Sequence, residues 1–303
     1  MRIVATKGIA IMATFLMAVF LAIGCATTKK ITGDGGGGKA LKKKIAFLPT
    51  VNKTGYGGKD FQKSAGTHLN TFLKRFCDDL IIIDSRNVRN PLEEIPRLAS
   101  GQIDNLALAK LGRALGFNAI LEESLSEIEC VTDKRGIWGF RNACMLVQLS
   151  VRVRAYDIET GAILFDEVVN DEVEVLEHDW QNIKERTGYH KEIADRLLTK
   201  TTAKICNKIC EPLGNESWKG YITSVSENTF TLTAGKDVGL AVGDVLEVFG
   251  TSDPIKGQAG QFYLVSGSKI GELRITKVHR NRAEAIGILG SDLQKSSHVK
   301  LKR

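Results

Sequence analysis

The sequence lacks the spacings that carry common enzymatic chemistry. No G-x-S-x-G, H-E-x-x-H or paired-cysteine zinc motif occurs in its 303 residues, so the usual signatures of serine hydrolases and zinc enzymes are missing. Histidine is scarce, at five residues, and His68, His178 and His190 fall in polar stretches. A lone imidazole in such a place is a surface group. The string GDGGGGKA at 33–40 has the outline of a phosphate loop, but Ala40 stands where Ser or Thr would hold magnesium. No strand precedes it either, so we expect no nucleotide. Charge is missing from residues 8–28. Arg2 and Lys7 come first, Ile9 to Ile23 is almost wholly apolar, and small Gly24 precedes Cys25. A basic start, an apolar middle and a small residue at the cut make an export signal. The same stretch is long enough for an uncleaved anchor, since about 20 apolar residues span a bilayer.

With cysteine directly after the cut, LAIGC (21–25) resembles the lipobox of bacterial lipoproteins, with Ala22 where leucine is usual. The resemblance implies that residues 1–24 are removed and that Cys25 carries lipid. Ala26 is not the Asp of the inner-membrane retention pattern, which implies the periplasmic face of the outer membrane. Dual acylation anchors stably, because each buried methylene contributes about 0.8 kcal/mol. Beyond that covalent lipid no cofactor is expected.

Without the two cations of the signal, Lys and Arg exceed Asp and Glu by 5. Many cations sit near the anchor, from Lys29 to Lys44, and at Lys300, Lys302 and Arg303. A basic stretch beside a lipid anchor suits an anionic membrane, or serves only as a solvated tether. Nucleic acid is a poor partner for an exported chain. Export permits disulfides, and the five cysteines after Cys25 leave at least one thiol unpaired within the chain. Cys77, Cys206 and Cys210 read as buried structural thiols.

Residues 25–43 read as a lipidated, glycine-rich tether and 44–212 as an αβ domain. Strands are expected at 44–49, 80–84, 118–128, 144–157 and 162–175, the last two joined by DIETG at 157–161. Apolar spacing predicts helices over 63–76, 103–115 and 190–210. From Trp218 the period becomes two, and five or six short strands in 218–303 predict a small antiparallel barrel. The fold class is α+β: a mixed sheet covered by helices, then a barrel.

KIAFLPTVNKTG (44–55), LGFNAILEESLSEI (115–128) and VRVRAYDIETGAILFDE (151–167) resemble the periplasmic αβ domain of the curli-transport lipoprotein family, CsgG, and of the middle domain of flagellar assembly protein T. GKDVGLAVGDVLEVFG (235–250), IGELRITKV (270–278) and AEAIGILG (283–290) resemble the C-terminal barrel of the latter. The resemblance implies a CsgG/TolB-N-like sheet, an SH3-like barrel, and a non-catalytic scaffold or assembly factor of an envelope machine, with envelope proteins or further copies of itself as partners. Two alternatives remain: a secretion-pore subunit, or a lipoprotein activator of a peptidoglycan synthase. Against the pore, neither 129–144 nor 170–191 has the apolar-out alternation of a membrane strand.

The stretch between Cys130 and Cys144 is the sharpest candidate site. A disulfide between these two would close a loop holding Lys134, Arg135, Trp138, Phe140 and Arg141. The loop either presents aromatics and cations to a partner or membrane, or folds back with Trp138 capping the core. Asn52 to Gly55 reads as turn chemistry.

Overall fold

The computed structural model describes residues 39–83, 92, 94, 96–137, 140–251, 253–258, 260–290, 293 and 297–302. The stretch expected to be an export signal, and Cys25, lie outside them. The αβ half runs β1 (Lys43–Phe47), β2 (Val51–Asn52), α1 (Gly58–Phe76), β3 (Leu80–Ile82), α2 (Asn105–Leu115), β4 (Ala119–Ile137), β5 (Phe140–Asp157), β6 (Ile163–Val175), α3 (Glu177–Glu185) and α4 (Lys191–Asn215). The sheet order is β3-β1-β4-β5-β6, with β2 on β4. β1 runs parallel to β3 and β4, whereas β4, β5 and β6 are antiparallel, so the sheet is mixed.

Each face of the sheet buries a different partner. Phe61, Ala65, Leu69 and Leu73 recur every four residues along α1 and form one stripe. That stripe and Leu197, Ile205 and Ile209 of α4 bury against Leu121, Leu125, Val147, Val151 and Val153. On the opposite face Leu108 of α2 packs with Ile120, Tyr156 and Ile158. Asp104 caps α2 by accepting the Ala107 N–H. The Asn52 turn is as expected, its carboxamide oxygen accepting from the Thr54 N–H and hydroxyl. Helix α4 runs past Pro212 to Asn215, further than expected, because Leu213 is buried in the core.

The second half is a closed barrel. Its strands are β7 (Gly220–Ser226), β8 (Thr229–Leu232), β9 (Val245–Thr251), β12 (Ser266–Val278), β13 (Ala283–Leu289) and β14 (His298–Leu301). They close in the order β12-β13-β8-β7-β14-β9, and a separate β10 (Ile255–Lys256) pairs with β11 (Phe262–Tyr263). Residues 39–42, expected within the tether, are seated on this barrel. Leu41 joins its core with Val238, Leu240 and Leu246, and the Lys42 N–H donates to the Val238 carbonyl.

One expectation about the 130–144 stretch is corrected. β4 runs to Ile137 and β5 begins at Phe140, so most of the stretch is strand. Cys130 and Cys144 do not pair. Cys130 stands opposite Val147 and Cys144 opposite Asp133, so the register keeps the thiols apart, and both are free. The disulfide joins Cys77, at the end of α1, to Cys210 of α4. Of the three cysteines expected as thiols, only Cys206 is one. The second stretch weighed as a membrane hairpin, 170–191, instead holds the end of β6 and the polar helix α3.

Candidate functional site

The hairpin β4–β5 positions the residues singled out in the sequence. Lys134 is exposed. Arg135 turns back along the sheet, its Nε 3.2 Å from Asp133 Oδ2 and an Nη on the Glu172 carboxylate of β6. It helps line a groove of about 920 Å³ with Glu174, Lys191, Asp195 and Arg196. Phe140 and Arg141 stand in β5 opposite Ile137 and Gly136. Trp138, and with it the choice between an outward and a folded-back tip, lies outside the described residues.

Beside that groove α4 guards the edge of the sheet. Arg196, Lys200, Lys204 and Lys208 recur every four residues, so they form one row. Arg196 Nη2 donates to the Glu174 carbonyl (3.1 Å), Lys200 Nζ to that of Glu172 (2.9 Å) and Lys204 Nζ to that of Asn170 (3.1 Å). Lys208 Nζ reaches Glu167 Oε2 at 2.7 Å. The Glu172 N–H donates to the Asp171 side chain. Three outward carbonyls of the β6 edge, at 170, 172 and 174, and the Glu172 N–H thus have partners in place of a neighbouring strand.

The seam between sheet and barrel was not visible in the sequence. DIETG, read there as a simple hairpin turn, is a joint. Asp157 Oδ2 accepts from the Thr160 N–H and hydroxyl, Asp157 Oδ1 accepts from the Glu159 N–H, and Gly161 takes φ 75°. This turn aims Glu159 at the barrel. Lys219 Nζ lies 2.9 Å from both Asp157 Oδ1 and Glu159 Oε2. His298 Nε2 lies 3.0 Å and Lys300 Nζ 3.3 Å from Glu159 Oε1, and the Ser266 hydroxyl donates to the same oxygen. From α2, Arg113 donates to the carbonyls of Ile158 and Glu159 with its guanidinium over the Tyr221 ring. Glu159 is 3% exposed and His298 1%. Burial alone would raise the Glu159 carboxyl, but His298, Lys219 and Ser266 outweigh it and hold the group well below the usual carboxylate range. Burial opposes the Lys219 charge, yet Asp157 and Glu159 carry its pKa above the ordinary lysine value. The adjoining cavity, about 10 Å³, is too small for any ligand larger than water. The cluster fastens two halves together.

A second buried carboxyl lies under α1. Glu123 of β4 is 2% exposed and accepts from the Thr50 hydroxyl at 2.7 Å. Burial pushes its pKa up to about 7, against the Thr50 hydrogen bond. For an acid raised in this way the neutral form fits the fold. Stability is full at pH 4, falls as pH rises to 7, and stays lower above it. Glu123→Gln should therefore match the wild type near pH 5 and exceed it at pH 8.5 by about 3 kcal/mol, at 1.36 kcal/mol per pH unit. Urea melts at the two pH values check this; equal differences at both would refute the assignment.

Ser64, Asp195 and His68 form the nearest approach to a nucleophile relay. The Ser64 hydroxyl donates to Asp195 Oδ1 at 3.0 Å, and His68 Nε2 lies 3.4 Å from the same oxygen. The hydroxyl proton is directed to the carboxylate and not to the imidazole, so this arrangement is not the hydroxyl–imidazole–carboxylate order of a nucleophile relay. Among the described residues no group of three or more His, Cys, Asp and Glu is placed to hold a metal ion.

No protein-family model and no curated protein matches the sequence. Among solved structures the chain is similar to the lipoprotein GNA1162 from Neisseria meningitidis, at 13% identity over 55% of this chain and 99% of that one, with a TM-score of 0.32. It is similar to PelC from Paraburkholderia phytofirmans, solved as a dodecamer, at 15% identity over 55% of this chain and 91% of that one, TM-score 0.30. TolB from Acinetobacter baumannii matches at 13% identity over 88% of this chain and 62% of that one, TM-score 0.28. Likenesses of this size are distant and assign no role to the chain.

Proposed function

We propose that this chain is a non-enzymatic lipoprotein of the outer membrane, held at its periplasmic face by lipid on Cys25. It acts as a scaffold or assembly factor of an envelope machine. The observation that carries this reading is the buried Glu159 seam, which joins the sheet and the barrel into one piece behind a lipoprotein-type signal. A body locked in this way suits holding partners at a set spacing, with one end tied to a membrane. The exposed strand residues around Lys134 support a partner-contact role for the 130–144 stretch, with Trp138, Phe140 and Arg141 proposed as further contact residues.

Two measurements test the proposal. Cells fed labelled palmitate should label the wild-type protein and not Cys25→Ser; label on both, or on neither, would sink the anchor. Light scattering of residues 26–303 at several concentrations separates the modes of action. A discrete high-order species supports a ring or pore subunit, and a monomer supports a partner-binding activator. Turnover of an envelope substrate by the purified chain would overturn the non-enzymatic reading.

A further inference from the structure

The described residues begin at one particular place on the barrel. Lys39, the first described residue, pairs with Asp244 at 2.6 Å, and Leu41 is sunk in the barrel core. Around that place the turns of the barrel are pinned to one another. The Lys236 N–H donates to the His279 carbonyl and the Asp237 N–H to the Arg280 carbonyl, at 2.8 and 2.9 Å. Gly235 permits this contact, since a Cβ there would meet the His279 and Arg280 carbonyls and the Arg282 nitrogen.

This end of the barrel is cationic. Lys42, Lys236, Arg280 and Arg282 are exposed, and none has an acidic partner among the described residues. The acids beside them are already committed. Asp237 pairs with Lys44 at 2.8 Å, Asp244 with Lys39, and Glu284 lies 3.2 Å from His279 Nε2. Val242, 66% exposed, projects from the same set of turns. By contrast, two cations of the C-terminus are spent inside the protein, Lys300 on Glu159 and Lys302 on Glu272.

We infer that this barrel end is a docking surface for anionic lipid headgroups. Four uncompensated cations around an apolar tip match a negatively charged leaflet. The position of Lys39 selects that occupant. Cys25 is fourteen residues before Lys39, and a chain of that length spans about 50 Å at most. The inference rests on the lipid anchor proposed above, which keeps this end within that distance of the bilayer and raises the local concentration of headgroups. The body then stands barrel-down, with the hairpin of the αβ half free for partners.

The test uses a chain beginning at Ala26, without lipid; all three buried cores close among residues from Leu41 onward. Its binding to vesicles of phosphatidylethanolamine and phosphatidylglycerol is measured by co-sedimentation, beside vesicles of phosphatidylcholine alone. We expect binding to the anionic vesicles only, weakened by salt because exposed charges are screened. Replacing Lys42, Lys236, Arg280 and Arg282 together by alanine should reduce it at least tenfold. Replacing Lys53, Lys59, Lys63 and Lys110 of the αβ half should leave it nearly unchanged. Val242→Asp, at an exposed site where folding is not at stake, should weaken it severalfold on its own. Equal binding by both quadruple variants, or none to anionic vesicles, overturns the inference. The readout does not involve Cys25, so it fails separately from the palmitate experiment.

Discussion

Glu159→Ala is expected to cost about 3–5 kcal/mol, the usual loss when one partner of a buried charge pair is removed. The alanine leaves Lys219 with Asp157 as its close partner, and strips His298 and Lys300 of the carboxylate they face. Those groups sit where the barrel meets the sheet, so the damage concentrates at the seam. Urea denaturation should show a lower midpoint and, as the halves uncouple, two transitions in place of one. The pH dependence has a definite sign. A carboxyl held below its ordinary range stabilises the fold above that range, and loses its contribution as pH falls toward the folded value. The wild type should therefore weaken in acid more steeply than the variant. A loss under about 1 kcal/mol at pH 7, in the range of exposed ion pairs, would show that the seam does not fasten the halves.

Removing the disulfide should have an effect of similar size. Cys77 and Cys210 are 133 residues apart in sequence. Closing so long a loop restricts the unfolded chain by about 5 kcal/mol in the chain-entropy model, and measured removals run at about 2–5 kcal/mol. The double variant Cys77→Ala, Cys210→Ala should lose stability in that range and become indifferent to reductant. Cys130→Ser with Cys144→Ser should retain both the stability and the sensitivity to reductant. Labelling after unfolding without reductant should modify Cys130, Cys144 and Cys206 and spare Cys77 and Cys210. Cys206 is a poor candidate for exchange despite its closeness to Cys210. It is buried, and burial pushes its thiol up to about 11, leaving little thiolate at neutral pH. A double variant as stable as the wild type would show that the αβ core closes without the bridge.

Local signals read well from the sequence, and features made by distant segments did not. The stripe of α1 was legible through Leu69 and Leu73, whose spacing matches the helical period. Phe76 has the same apolar spacing but stands in the last turn of α1 and is 55% exposed. The polar helix α3 was missed: it buries only Ile183, too little for a period to show. Cys130 and Cys144 flank one short stretch in sequence, yet the β4–β5 register sets Cys144 three residues away from the partner of Cys130, so nearness in sequence does not make a pair. Cys77 and Cys210 meet only when α1 and α4 pack side by side. The seam was invisible for a similar reason. Glu159 looks like a turn residue until Lys219 and His298 arrive from the barrel. Leu41 was hidden by its neighbours, since glycines and lysines on either side read as tether.

The cation row of α4 bears on the order in which the chain reaches its folded state. β6 precedes α4 in sequence, so a chain delivered from its N-terminus presents the strand before the helix that covers it. For that interval thirteen residues of open strand edge are available to any neighbouring chain with a matching edge. When α4 docks, Arg196, Lys200 and Lys204 take the carbonyls through which a foreign strand would pair. Docking of α4 thus closes part of the β6 edge, at three carbonyls, to pairing with a second strand.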